Sequence, residues 1–222
     1  MRRPLILLLV IALTTLTANS QYVFKKETHL GVKAGGTLSM VTFDPKVDQK
    51  LNFGFTGGLV FKHVEQKSLG IQLEVNFLQA GWTENLDTTN SYSRRLNYLQ
   101  IPFMTHVILG EGNTRFIINL GPYGTFLLSE KETINLIEGE EGNEYYGQGI
   151  DNKAEFGLCA GIGLSKNTSI GMFQLEGRFN FSLSNMFNSS ESMFTSSKNQ
   201  VIELSLSYLL DYHALKRGSS GK

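Results

Sequence analysis

Apolar and polar residues alternate one by one over long stretches of this chain, and that two-residue period limits its fold more than any other feature. Between Ser68 and Trp82, Leu69, Ile71, Leu73, Val75 and Phe77 fall on one face and Gln72, Glu74 and Asn76 on the other. After Ser169, the residues Gly171, Phe173, Leu175, Phe179 and Phe181 oppose Gln174, Glu176, Arg178 and Asn180. Phe156, Leu158, Ala160 and Ile162 oppose Glu155, Gly157, Cys159 and Gly161, and Ile202, Leu204, Leu206 and Tyr208 oppose Glu203, Ser205 and Ser207. Successive side chains of a strand point to opposite faces, whereas a helix would scatter these residues around its circumference.

The pattern predicts eight strands, at 28–41, 51–64, 68–82, 94–109, 114–129, 153–166, 169–183 and 200–210. Three connections are tight (65–67, 110–113 and 167–168) and four are longer and polar (42–50, 83–93, 130–152 and 184–199), in strict alternation. A closed up-and-down barrel then carries every tight turn at one end and every long loop at the other, as outer-membrane barrels do. At about 11–16 residues the strands reach the ~9–11 that a tilted membrane crossing needs, and they exceed the 5–6 usual in soluble sheets. A closed barrel also satisfies every backbone hydrogen bond in lipid, which an open sheet cannot do. The expected fold class is therefore all-β: an eight-stranded antiparallel up-and-down transmembrane β-barrel. Phe53, Phe55, Phe61, Phe77, Phe103, Trp82 and Tyr208 lie on apolar faces or near strand ends, where interfacial girdles belong.

Composition narrows the function classes. Lys+Arg and Asp+Glu number 20 each, so no net positive charge recommends nucleic acid as a partner. One cysteine excludes a disulfide scaffold and a cysteine-cluster metal site. Residues 1–20 combine Arg2 and Arg3, an apolar run from Leu5 to Leu13 and small residues at Ala18–Ser20, the pattern of a secretory leader. The expected organisation is a cleaved leader at 1–20, a barrel domain at 21–210 and a polar C-terminal tail at 211–222. The expected location is the bacterial outer membrane, with its lipid as the first partner.

The segment Arg95-Leu96-Asn97-Tyr98-Leu99-Gln100-Ile101-Pro102-Phe103 resembles the fourth strand of the PorT-like outer-membrane β-barrel proteins of Bacteroidetes. The glycine-rich first strand, Leu30 to Gly36, and the stretch from Glu74 to Gly81 are similar to that group as well. The resemblance implies an eight-stranded outer-membrane barrel; one member of the group takes part in protein secretion. The chain departs from it by continuing past Tyr208 and Tyr212 to Lys222.

Seven charged residues fall on the polar faces: Lys33, Lys62, Glu74, Glu155, Glu176, Arg178 and Glu203. The interior of an eight-stranded barrel is just wide enough to be filled by side chains, so these charges are expected to pair across the lumen. Loop 130–152 brings together Glu138, Glu140, Glu141, Glu144, Tyr145 and Tyr146, a candidate partner surface with charge for steering and aromatics for anchoring. No HExxH, Walker motif or cation-loop spacing is present, and no cofactor is expected. Pro102 and Pro122 interrupt predicted strands, which points to bulges or rim positions. The expected role is structural or interactive, through extracellular loops, with membrane or secretion-complex proteins as partners and an accessory part in protein secretion. A narrow small-solute channel and an outer-membrane enzyme are the alternatives.

Overall fold

The computed structural model describes residues 26–84, 90–137, 142–189 and 192–212. Among the described residues there are nine strands: β1 (Glu27–Asp44), β2 (Gln49–Lys50), β3 (Asn52–Gln66), β4 (Leu69–Glu84), β5 (Ser91–Leu109), β6 (Thr114–Asn135), β7 (Ala154–Thr168), β8 (Gly171–Ser182) and β9 (Ser196–Asp211). The eight long strands match the eight expected from alternation. The ninth, β2, is a two-residue addition that pairs with the end of β4. Long neighbours in sequence pair antiparallel, and β1 also pairs with β9, so the sheet closes into a ring. The tight turns gather at one rim. One of them, 110–113, holds Gly110 and Gly112 at φ of 95° and 88°, which side-chain-bearing residues rarely adopt.

Alternation resolves into an outside and an inside. Val32, Phe55, Leu59, Ile71, Leu73, Phe103, Leu120, Phe156, Ile162 and Leu204 face outward and are exposed. On β5 the outward residues from Leu99 to Leu109 are mostly apolar, while Ser91, Ser93, Arg95 and Asn97 continue the same face as a polar extension. Ten steps at ~3.4 Å along a strand tilted by about 45° give an apolar belt roughly 25 Å tall, the hydrocarbon height of an outer-membrane barrel. Phe55 and Phe77 stack 5.3 Å apart near its long-loop border, and Phe173 and Tyr208 pair at 5.1 Å near the tight turns.

Three features differ from expectation. Trp82 lies inside the barrel and fully buried, because it shares the even-numbered, inward phase of Gln72, Glu74 and Asn76. Strand β6 runs on to Asn135, past its predicted end at 129, and β5 begins at Ser91, before its predicted start at 94, through segments that are largely polar. The two prolines sit within the belt, and the register runs unbroken past them instead of forming bulges. Between β4 and β5 the paired rungs stop at Leu73↔Phe103 and resume at Asn76↔Gln100, spanning Pro102. Between β5 and β6 they stop at Pro102↔Tyr123 and resume at Thr105↔Leu120, spanning Pro122. A proline nitrogen has no hydrogen to donate, so rungs are lost without a change of register. The bulge on this pair lies instead between Asn97 and Tyr98.

Candidate functional site

The lumen is filled by a network whose members come from strands far apart around the ring. Glu74 on β4 accepts from Lys33 Nζ on β1 at 2.8 Å and from both terminal nitrogens of Arg178 on β8, at 2.8 and 2.7 Å. Gln72 and Asn76, its inward neighbours two residues away, donate to it at 2.6 and 2.7 Å. Arg178 Nε donates to Glu176 Oε1 at 2.9 Å, and Lys33 Nζ lies 2.5 Å from Glu203 Oε1 on β9. Lys62 joins through an amide: it donates to Gln174, which in turn donates to Glu176 and Gln72. Three cations thus share the layer with three carboxylates. Buried ions require partners of this kind, because desolvation is repaid only by opposite charge and full hydrogen bonding.

Five of the seven candidate lumenal residues, Lys33, Glu74, Glu176, Arg178 and Glu203, form this contiguous set of ion pairs. Lys62 reaches it through Gln174. Glu155 lies elsewhere: it accepts from Tyr98 Oη at 2.6 Å and Ser182 Oγ at 3.0 Å. A cavity of about 10 Å³ beside it, lined by Tyr98, Gln100, Asn180 and Asn199 among others, has room for roughly one water molecule.

Above the charges, the long-loop end is closed by a second core. Inward residues turn apolar here: Val41, Phe43, Leu78, Ala80, Trp82, Leu96 and Tyr98 meet Tyr145, Ile150, Met186, Phe187 and Phe194 from the loops. Phe43 packs edge-on to Trp82 at 5.2 Å and tilted on Phe194 at 4.4 Å, and Tyr145 lies 4.9 Å from Phe194. Glu84 ties the loop down, accepting from Tyr145 Oη, Tyr146 Oη at 2.7 Å, Trp82 Nε1 at 3.2 Å and Asn143 Nδ2 at 3.3 Å. The inward acids of the β6 extension do the same. Glu132 accepts from Tyr92 Oη at 2.6 Å and from Gly147 N, and Glu130 pairs with Arg94 at 3.1 Å. Arg94 lies over the rings of Trp82 and Phe187 and donates to the Gln148 carbonyl. Burial first, and then hydrogen bonds to Glu132 or Glu84, push the phenols of Tyr92, Tyr145 and Tyr146 above their ordinary acidity range. A pocket of about 250 Å³ opens at this cap, lined by Lys46, Glu84, Asn143, Tyr145, Met193 and Phe194 among others.

The cap corrects one expectation for the loop. Tyr145 is 1% exposed, so it is a plug residue and not a solvent-facing anchor. The apolar mouth needed a cover, and this ring supplies it. Tyr146 is half-buried, stacked on Tyr92 at 4.0 Å, and Glu144 is exposed. Glu138, Glu140 and Glu141 lie outside the described residues. The signal for the cap was present in the sequence as inward positions that become apolar toward the long loops.

Among the described residues, no group of three His, Cys, Asp or Glu side chains could hold a metal. At the tight-turn rim, His63 contacts Thr28 Oγ1 at 2.8 Å and Glu65 at 3.1 Å, an arrangement that sequence spacing did not reveal. Glu65 is also paired with Lys26, and hydrogen bonds to Lys26 and His63 hold its pKa below the ordinary carboxylate value. Cys159 is buried, its thiol 3.3 Å from the Gly121 carbonyl.

Residues 18–188 match the family described as outer membrane protein beta-barrel domain. No curated protein matches the chain. Among solved structures, the chain is similar to Ail of Yersinia pestis, at 14% identity over 83% of this chain and 99% of that one, with a TM-score of 0.42. It is similar to OprG of Pseudomonas aeruginosa at 11% identity over 83% and 96%, TM-score 0.46. For the neisserial surface protein NspA the figures are 8% identity, 81% and 96%, and 0.41.

Proposed function

Since the chain belongs to the outer membrane protein β-barrel domain family, we propose that it is a sealed barrel that works through its extracellular face. It holds or recruits a membrane or secretion-complex protein there, and the PorT-like resemblance gives that partnership its place, as an accessory to protein secretion. One observation carries the proposal: the lumen is occupied twice over, by the ion-pair layer around Glu74 and by the aromatic cap around Tyr145. A pore needs a wet path, and both layers lie across it. In this arrangement the leader at 1–20 is removed, 21–210 are the barrel domain, 211–222 are the polar C-terminal segment, and the long loops face the exterior.

The cap's exposed residues, Glu144 and Met193 beside half-buried Tyr146, are the surface offered to a partner. The test is affinity capture of the full chain from gently solubilised native membranes, with intact mass giving the mature N-terminus. Glu144→Lys with Met193→Ser should reduce recovery of the specific partner at least severalfold and leave heat-modifiable migration intact. The lumenal change Glu203→Gln should leave partner recovery unaltered. Equal loss from the lumenal and cap variants would remove the loops from the interaction.

A further inference from the structure

The outer surface just above the apolar belt is built in rows across β4, β5 and β6. The lowest row is Gln79, Asn97 and Ser129, in register and linked: Gln79 Nε2 donates to Asn97 Oδ1 at 3.0 Å, and Asn97 Nδ2 to Ser129 Oγ at 2.9 Å. A higher row pairs Ser91 with Asn135, joined at 3.1 Å. The row directly above Gln79 is different. It consists of Gly81, Arg95 and Lys131, and it sets two cations directly opposite each other on neighbouring strands, both exposed.

Like charges facing across a strand pair repel, with Cβ atoms only about 5 Å apart. The side chains around them on this face, Gln79, Asn97, Ser129, Thr83, Ser93 and Thr133, carry no charge. The acids adjacent in sequence belong to the other face and are engaged there. Glu130 pairs with Arg94, and Glu132 accepts from Tyr92 and Gly147. Gly81 leaves the row without a third side chain; with φ at 140°, an added Cβ would fall 1.9 Å from the Arg94 carbonyl oxygen. Beneath the polar row of Gln79, Asn97 and Ser129 the surface is Phe126, Leu128 and Ile101, exposed and apolar.

We infer that Arg95 and Lys131 form a site for a phosphate group of an outer-leaflet lipid. The site matches what such a lipid presents: acyl chains against Ile101, Phe126 and Leu128 and, beyond the polar row of Asn97 and Ser129, a dianion. Arg95 supplies a planar fork for two phosphate oxygens and Lys131 a point charge, and binding converts their repulsion into shared attraction. The inference rests on the membrane orientation proposed above, with the long loops outside.

The full chain, purified and reconstituted in phosphatidylcholine vesicles containing diphosphorylated lipid A, should retain that lipid through detergent exchange. Retention, read by fatty-acid analysis, should fall roughly fivefold for Arg95→Gln or Lys131→Gln and more than tenfold for both together. Lipid A stripped of its phosphates should be retained no better by wild type than by the double variant. Lys131→Glu should raise thermal stability in phosphate-free detergent while abolishing retention, because it turns a repulsive pair into an attractive one. Undiminished retention by the double variant, or a Lys131→Glu protein no more stable than wild type, would overturn the site. Thermal stabilisation of the detergent-purified chain by inorganic phosphate equal to that by lipid A at the same concentration would overturn the lipid as its ligand. Protease access to loop 142–152 in whole cells reports the orientation independently, so a reversed barrel is told apart from a failed site.

Discussion

Glu74 accepts five hydrogen bonds from four side chains on two other strands and its own, so it concentrates the fold's electrostatic risk in one carboxylate. Removing its strongest partner is therefore the informative change. Arg178→Met leaves Glu74 and Glu176 buried without their bidentate and Nε donors, and it should destabilise the barrel by about 3–5 kcal/mol in urea unfolding from lipid vesicles. Replacing Lys62, Glu74, Glu176 and Arg178 together by apolar residues of similar volume should cost much less, since Lys33 and Glu203 still hold each other and no orphaned ion remains. On the opposite face the physics changes sign. Leu73 points outward from the belt, and Leu73→Arg should cost roughly 2–4 kcal/mol by placing a charge in hydrocarbon near the midplane. If the two faces were equivalent, methionine at 178 would be harmless, and folding titrations of the two variants side by side check this.

At the scale of elements, loop 142–152 is held by the β4 and β6 extensions, and its tyrosines make that hold sensitive to alkali. Their pKa values are raised in the folded state, so folding favours the protonated phenol. The stability this contributes is complete below the ordinary phenol value of about 10 and is lost as pH rises above it. Tyrosinate absorbance should thus lag behind that of free tyrosine, and heat-modifiable migration should weaken above about pH 10. Phenylalanine at 92, 145 and 146 should shrink the lag, leaving only what the other buried tyrosines contribute. The same elements show where the sequence was readable. Within lipid, one face must be apolar and the other polar, so period two placed all eight long strands and the inward charges. Above the lipid both faces of β5 and β6 touch water or polar partners, and residues 91–93 and 130–135 carry no alternation. The plug was hidden for another reason. Tyr145, Phe187 and Phe194 come from loops with no period at all, and they meet only through the ring's closure. Trp82 was legible by parity, yet its size suggested the girdle. Its inward phase was the better guide.

For the whole molecule, two independent layers closing one lumen make a prediction about conduction. Deleting residues 142–149 removes Tyr145 from the mouth but leaves the ion-pair layer beneath, so planar bilayers should stay silent. Adding alanine at Lys33, Glu74 and Arg178 removes the second obstruction, and only this combination should give steady currents. Reproducible ion-selective openings from the unaltered chain, modified by Glu176→Gln, would favour the channel alternative instead. Lys33 has a further consequence, because it stands on the first strand and binds Glu203 on the last. The seam between β1 and β9 pairs Thr37 with Glu203 and Lys33 with Ser207. A one-residue slip would turn Glu203 into the lipid, and a two-residue slip toward the long loops, setting it opposite Ser39, would carry it about 7 Å farther from the ammonium. That same ammonium also needs Glu74 on β4, which in turn needs Arg178 on β8. The circle of charges can be satisfied only when the earlier strands have docked and the final one arrives in step, so the lumen proofreads its own assembly.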